Sequence, residues 1–236
     1  MARGRGGGGG GGGALREAPA GRRPPWWPGR SRLRSGPALR PELTAAGGAG
    51  RKRTQKEGFP AELLRFPDRT SASGKLIDEY LQSKRELTDE GVHKLFSDNR
   101  WEKRDEMLRK LEEGKTLVVD RYAYSGVAFT AAKGVPGLDL EWCKAPDAGL
   151  LAPDLIFFLH LSIEEANRRG GFGEERYERE EFQRRVVAQF EALRDENWNV
   201  VDAARPLEDI HADLCKAATA AAEQCRKGGV ALRTLW

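Results

Sequence analysis

Short, largely apolar runs recur along the chain from residue 61 onward and define its hydrophobic pattern. Such runs are typical of strands that are covered on both faces of a sheet. They predict four strands, at residues 61–66, 116–119, 154–161 and 198–201. The first of these is stopped by Pro67, which favours an extended residue before it.

Segments with apolar residues at helical spacing separate the strands. The clearest predicts a long helix from an N-cap at Thr88 to about Glu113, with Gly114 as its stop. Further helices are expected at 74–82 and 139–144, after the capping box Ser162 to Glu165, and from Glu180 and Pro206 onward. Residues 120–129 and the turn-rich stretch 132–139 are expected to be loops. Strands that alternate with helices predict an α/β protein with a parallel sheet flanked by helices.

Residues 1–56 differ from the rest of the chain. They hold eight consecutive glycines and 13 Lys or Arg against two acidic residues, a net charge of +11, which leaves −7 for residues 57–236 of a +4 chain. The segment has no helical or strand period, so a disordered Gly/Arg/Pro-rich leader is expected. It could be a transit peptide, a nucleic-acid-binding arm or an extension without specific function. The glycine run and the lack of an amphipathic stripe argue against the first.

The cysteines and the apolar runs bear on the compartment. Three widely spaced cysteines predict a reducing environment. The longest apolar run is far below the ~18 residues of a membrane span. A protein without membrane contact is expected, in the cytoplasm, with the nucleus and mitochondrion left open. Nucleic acid is an expected partner only through the basic leader.

Asp120 and Arg121 directly follow the second predicted strand. Ligands of open α/β sheets bind beyond the carboxyl ends of the strands, so Asp120 could hold a metal or a proton and Arg121 an anion. A solvated charge pair is the alternative. Further arginines stand where predicted elements end, and several preorganised cations suit phosphoryl transfer. They are Arg69, Arg168, Arg169 and Arg176.

Five strings, in their order and spacing, carry more information than any single residue. They are FPDRT at 66–70, LFSDNRWE at 95–102, VVDRYAYSGVAFTAAKG at 118–134, LDLEWCKAPDAGLLAPDLIFFL at 138–159 and RRGGFGEERYE at 168–178. From Phe59 to about Ile210 the chain closely resembles the thymidylate kinases. The resemblance implies the P-loop NTPase fold of nucleoside monophosphate kinases and a homodimer. It also implies ATP-dependent phosphorylation of dTMP to dTDP with Mg²⁺, a step of dTTP biosynthesis.

The resemblance also implies roles for individual residues. Phe96 would stack on thymine, and Arg100 would contact the base or the monophosphate. Arg69 and Arg121 would clamp the acceptor phosphate, and Asp120 would help to place Mg²⁺ and that phosphate. Arg169 would be the lid arginine that reaches the transferring phosphates. The remaining substrate-binding residues would be Phe66, Tyr122, Ser125, Gly126, Phe129, Tyr177 and Gln183.

The donor side of the expected site lacks its usual motif. Thymidylate kinases begin with a strand, a phosphate loop that ends in Gly-Lys-Ser/Thr, and a helix, all of which should precede Ala61. No G-x-x-x-x-G-K-[ST] occurs in the chain, and Gly74-Lys75 is followed by Leu76. The expectation is a kinase-like domain at 57–236 without its first strand, P-loop and first helix, hence inactive or marginally folded. An alternative first exon or a faulty gene model would explain this. A P-loop-less isoform that binds nucleotide or dimerises without catalysis is the alternative to an enzyme.

Overall fold

A computed structural model of the chain describes residues 33–35, 59–162, 165, 168, 180–228 and 231–236. Within these residues, five strands form one parallel sheet in the order β2-β3-β1-β4-β5. The strands are β1 (Leu33–Ser35), β2 (Ala61–Arg65), β3 (Thr116–Asp120), β4 (Leu155–His160) and β5 (Trp198–Asp202). The predicted α/β class and all four predicted strands are confirmed.

The central strand is the main departure from the expectation. The backbone of Leu33–Ser35 pairs with Val118–Asp120 on one side and with Leu155–Phe157 on the other. The prediction that the sheet lacks its first strand, and that residues 33–35 are disordered, is therefore wrong. Strand pairing uses only backbone N–H and C=O groups, so three extended residues suffice, and a run of three is too short to show a period of two.

Within the described residues, five helices lie between strands and a sixth follows β5. They are α1 (Ala72–Leu81), α2 (Asp89–Glu112), α3 (Ala123–Ala131), α4 (Leu140–Lys144), α5 (Glu180–Leu193) and α6 (Leu207–Arg226), with one 3₁₀ turn at Ala145–Asp147. The predicted start and stop of α2 are confirmed, because the Thr88 side chain accepts from Gly91 N and Gly114 has φ +77°. Ser162 caps as predicted, with its Oγ accepting from Glu165 N at 3.1 Å. The expected stop at 170–171 lies outside the described residues.

Helix α3 corrects the expected loop through Phe129. Six of its nine residues are buried, including Val127, Ala128 and Phe129. A helix that is covered on nearly all sides has no polar face, so it shows no amphipathic period in the sequence. Its burial fixes the direction in which the chain leaves the Asp120-Arg121 strand end.

Two apolar clusters anchor the elements around this strand end. The first joins β3 to α2 through Leu117, Val119 and Leu108, and it also takes in Leu235 near the C-terminus. The second joins α3 to α5, β4 and β5, with Phe158, Phe190 and Trp198 at its centre. No helix in the described ranges has the length and apolar content of a membrane span.

Candidate functional site

The carboxyl edge of the sheet gathers charged side chains from adjacent strands. Arg65 and Asp120 end β2 and β3 at paired positions, and Ser35 pairs with Asp120 from the other side. Arg65 Nε donates to Asp120 Oδ2 at 2.8 Å, and the Asp120 carbonyl accepts from Phe66 N at 3.0 Å. The partner that Arg65 provides for Asp120 was not predicted. It follows from the strand register, which the sequence does not show.

Arg121 has an unusual backbone. Its φ of +61° lies in the left-handed region, which is costly for a residue with a side chain. Its guanidinium lies 5.1 Å from the centroid of the Phe129 ring on α3. Two of the predicted site residues therefore meet, and a positive charge is held at the end of the strand.

Arg100 is the most deeply buried of the predicted arginines, at 2% exposure. Its Nε and Nη2 donate to the two oxygens of Asp147, at 3.0 and 2.6 Å, and Asp147 is fully buried. Ser97 Oγ donates to the same carboxylate at 2.7 Å. A bidentate pair of this kind fixes the plane of the guanidinium.

The absence of a side chain at Gly126 allows the Arg100 guanidinium to lie against α3. A Cβ at this glycine would lie 3.0 Å from Arg100 Nη2 and 3.2 Å from Nη1. Arg100 and Gly126, both predicted substrate-binding residues, are thus in direct contact. Asp147 was not singled out from the sequence, because it lies 47 residues from Arg100 along the chain.

The loop between β2 and α1 carries Arg69. At its start the Phe66 and Tyr122 rings lie 5.4 Å apart, centroid to centroid, and both residues are buried. Arg69 is exposed, and its Nη1 donates to Asp78 Oδ1 at 2.5 Å. Next to it, burial alone would raise the pKa of Asp68, but hydrogen bonds from Thr70 and Lys103 outweigh burial and lower that pKa to about 2. Asp68 is therefore ionised at neutral pH.

The other predicted residues lie around this centre. Phe96 is half-buried against the cluster of Ile77, Tyr80 and Val92, which leaves part of its ring exposed. Ser125 is buried on α3. Phe129 meets Phe182 with ring centroids 6.1 Å apart, and Gln183 is the next residue on α5. Tyr177 and Arg169 lie outside the described residues.

A buried histidine behind the site was missed from the sequence. His93 is 1% exposed, and its Nδ1 and Nε2 lie 2.8 Å from Thr130 Oγ1 and 2.9 Å from the Cys143 carbonyl. Burial, followed by the positive charge of Arg100, lowers the pKa of His93. The ring is therefore neutral at pH 7 and ties α2 to α3 and α4.

The segment after β1, residues 36–58, where a donor-phosphate loop is expected, is not among the described residues. The one Gly-Lys-Thr tripeptide of the chain, 114–116, joins the end of α2 to the start of β3, at the opposite edge of the sheet from Asp120. Among the described residues, no group of three or more His, Cys, Asp or Glu side chains is placed to hold a metal ion.

The parallel sheet in the order β2-β3-β1-β4-β5, with helices around it, has the fold of the P-loop NTPases. A family model for thymidylate kinase matches residues 49–214. The chain belongs to the thymidylate kinase family, whose members use ATP as phosphoryl donor.

Relatives and solved structures agree with this assignment. The chain is 48% identical over 179 residues to a thymidylate kinase of Arabidopsis thaliana, covering 76% of this chain and 66% of that protein. It is 55% identical over 163 residues to one of Danio rerio, covering 68% and 76%. It is 51% identical over 160 residues to one of Homo sapiens, covering 66% and 74%. A solved thymidylate kinase of Candida albicans matches 88% of this chain and 99% of its own, with a TM-score of 0.77 and 28% identity.

Proposed function

We propose that this chain transfers the γ-phosphoryl group of ATP to a phosphate oxygen of dTMP, giving dTDP and ADP. The observation that carries the proposal is that one helix, α3, contacts both the strand-end Arg121, through Phe129, and the buried, oriented Arg100, through Gly126. One site then offers charges for a phosphate and a fixed donor for a base. In the transfer, a dTMP phosphate oxygen bonds to the γ-phosphorus, and the bond from that phosphorus to the oxygen that leaves with ADP breaks.

On the acceptor side, Arg69 and Arg121 hold the dTMP phosphate. The Phe129 ring under the Arg121 guanidinium supports this placement, since it keeps the guanidinium near the strand end. Phe96 stacks on the base, using the part of its ring that the core does not cover. Tyr122, Ser125, Gly126 and Gln183 form the sugar and base pocket, with Phe66 and Phe129 behind it.

Arg100 reads the base in this proposal. Its Nε and Nη2 are used by Asp147, and Nη1 has no hydrogen-bond partner among the described residues. A fully oriented guanidinium with one unused nitrogen can donate to a base carbonyl without first being ordered. We assign Arg169 and Tyr177 to the transferring phosphates and the sugar, on the resemblance of their string alone.

Mg²⁺ fits Asp120. Arg65 uses Asp120 Oδ2, while Oδ1 accepts no hydrogen bond from the described residues, and the carboxylate is about one-third exposed. One carboxylate oxygen suits an ion that otherwise binds water and phosphate oxygens. When bound, the ion would neutralise the charge that develops on the transferring phosphates. A homodimer, a domain at 57–236 and a cytoplasmic location complete the proposal, on family resemblance and composition only.

An ADP-release assay with ATP, Mg²⁺ and dTMP tests the proposal. Because the Candida albicans relative is described as having broad substrate specificity, dUMP is assayed alongside. Asp120→Ala should reduce turnover at least a hundredfold, whereas Asp105→Ala, which removes an 84% exposed carboxylate on α2, should leave it unchanged. Titration of dTMP by calorimetry is run on the same samples. Tight dTMP binding with turnover no higher than in Asp120→Ala would reject catalysis and leave the nucleotide-binding, non-enzymatic isoform.

A further inference from the structure

A single buried amide holds the loop that carries Arg69. Asn99 on α2 is 1% exposed. Its Oδ1 accepts from Asp68 N at 2.8 Å. Its Nδ2 donates to the Asp68 carbonyl at 3.2 Å and to Ser71 Oγ and Ser73 Oγ at 2.9 and 2.8 Å. The side chain thus grips both backbone groups of the residue next to Arg69 and also the N-cap of α1.

The loop is pressed onto α1 from the other side as well. A Cβ at Gly74 would lie 1.8 Å from the Asp68 carbonyl oxygen and 2.9 Å from Arg69 Cα. Only a glycine allows the loop to lie this close to the first turn of the helix. Lys103, one turn after Asn99 on α2, adds an ion pair to Asp68 Oδ2 at 2.9 Å. Asp68 is therefore held through its backbone and its carboxylate.

We infer that Asn99 is a positioning residue that sets where Arg69 meets the acceptor phosphate. The inference rests on the proposed function. Arg69 itself is exposed and forms an ion pair with Asp78. The position of its guanidinium therefore depends on the position of the loop backbone that carries it. A loop that is ordered before the ligand arrives avoids the entropic cost of ordering it on binding. Asn99 touches no substrate atom in this arrangement and acts through Asp68 and Arg69.

A double-mutant cycle separates positioning from a purely structural role. The dissociation constant of dTMP is measured by calorimetry for the full chain, Asn99→Ala, Arg69→Ala and the double variant. If Asn99 acts through Arg69, Asn99→Ala weakens dTMP binding about tenfold in the parent chain and less than twofold when Arg69 is already alanine. Asp98→Ala is the matched control, because Asp98 is the preceding residue of α2 and is exposed. It should leave dTMP binding unchanged.

Equal loss of dTMP affinity in both backgrounds, or no loss in either, overturns the inference. Gly74→Ala adds a Cβ that displaces the same loop from the side of α1, and it is tested with and without Arg69→Ala in the same way. This second variant provides the test if Asn99→Ala does not fold. Failure of the proposed function looks different, since the unmodified chain would then release no ADP above the Asp120→Ala background, whether or not it binds dTMP. With dTMP bound by the unmodified chain and an additive cycle, only the role of Asn99 is rejected.

Discussion

Replacing Asp147 by asparagine removes the charge that balances a buried guanidinium. The wild-type carboxylate accepts from Arg100 Nε, Arg100 Nη2 and Ser97 Oγ. An asparagine of the same shape keeps one acceptor oxygen. Its NH₂ group then faces either Arg100 Nη2 or the pair Arg100 Nε and Ser97 Oγ, which are themselves donors. Arg100, at 2% exposure, has no water to replace what is lost. Breaking a buried pair from one side costs about 3–5 kcal/mol.

For a domain of this size, ~1 kcal/mol corresponds to a shift of about 2–4 °C in melting temperature. Asp147→Asn should therefore melt about 6–20 °C below the parent chain in a circular-dichroism scan at pH 7. Asp105→Asn makes the same chemical change at a surface pair with Arg104 and should shift the melting temperature by less than about 4 °C.

A double variant, Arg100→Met with Asp147→Leu, tests the cause of the loss. Because it removes both charges and fills the space with apolar atoms, it should recover most of the stability. It should not recover dTMP binding, since Arg100 is gone. A melting temperature of Asp147→Asn within about 3 °C of the parent chain would refute the reasoning, because it would mean that the guanidinium is not dependent on this carboxylate.

Three further predictions concern the central strand and two titrating groups. Arg34→Pro removes a backbone N–H from the middle of β1 and should lower the melting temperature by several degrees, whereas Arg34→Ala should not. Equal melting temperatures of the two variants would show that β1 is not needed for stability. The folded-state pKa of Asp68 is about 2, against 3.8 for an ordinary Asp, so its stabilisation is full above pH 4 and lost as pH falls through about 2. Urea titrations of Asp68→Asn and the parent chain should differ at pH 7 and converge only as pH falls to about 2; a constant difference would contradict this. Because burial lowers the pKa of His93 below 6.5, the unfolded chain takes up a proton first, and stability should fall as pH drops below about 6.5. His93→Gln should flatten that dependence in urea titrations between pH 7 and 5, and an unchanged slope would show that His93 is not its source.

What could be predicted from the sequence was local. The Thr88 cap and the Gly114 stop depend on residues within one turn of the helix end, so their chemistry is visible in the string. The strand end at Asp120 is visible for the same reason. These local signals predicted the strand end at which the candidate site is proposed.

What could not be predicted depends on pairing across the fold. Asp147 is linked to Arg100 over 47 residues, and Arg65 to Asp120 over 55. Helix α3 shows no polar face because the core covers it. The position of Leu33–Ser35 in the sheet is set by backbone groups, which every residue other than proline has in the same form.

The left-handed backbone of Arg121 has a consequence for laboratory evolution. Glycine adopts φ +61° without the cost of about 1 kcal/mol or more that arginine bears there. A library selected only for heat resistance should therefore enrich glycine or asparagine at position 121. The same library, selected instead for cells that depend on this protein to phosphorylate dTMP, should retain arginine. Opposite enrichment at position 121 in the two selections would show that this residue lowers thermal stability and is kept for the proposed binding of a phosphate.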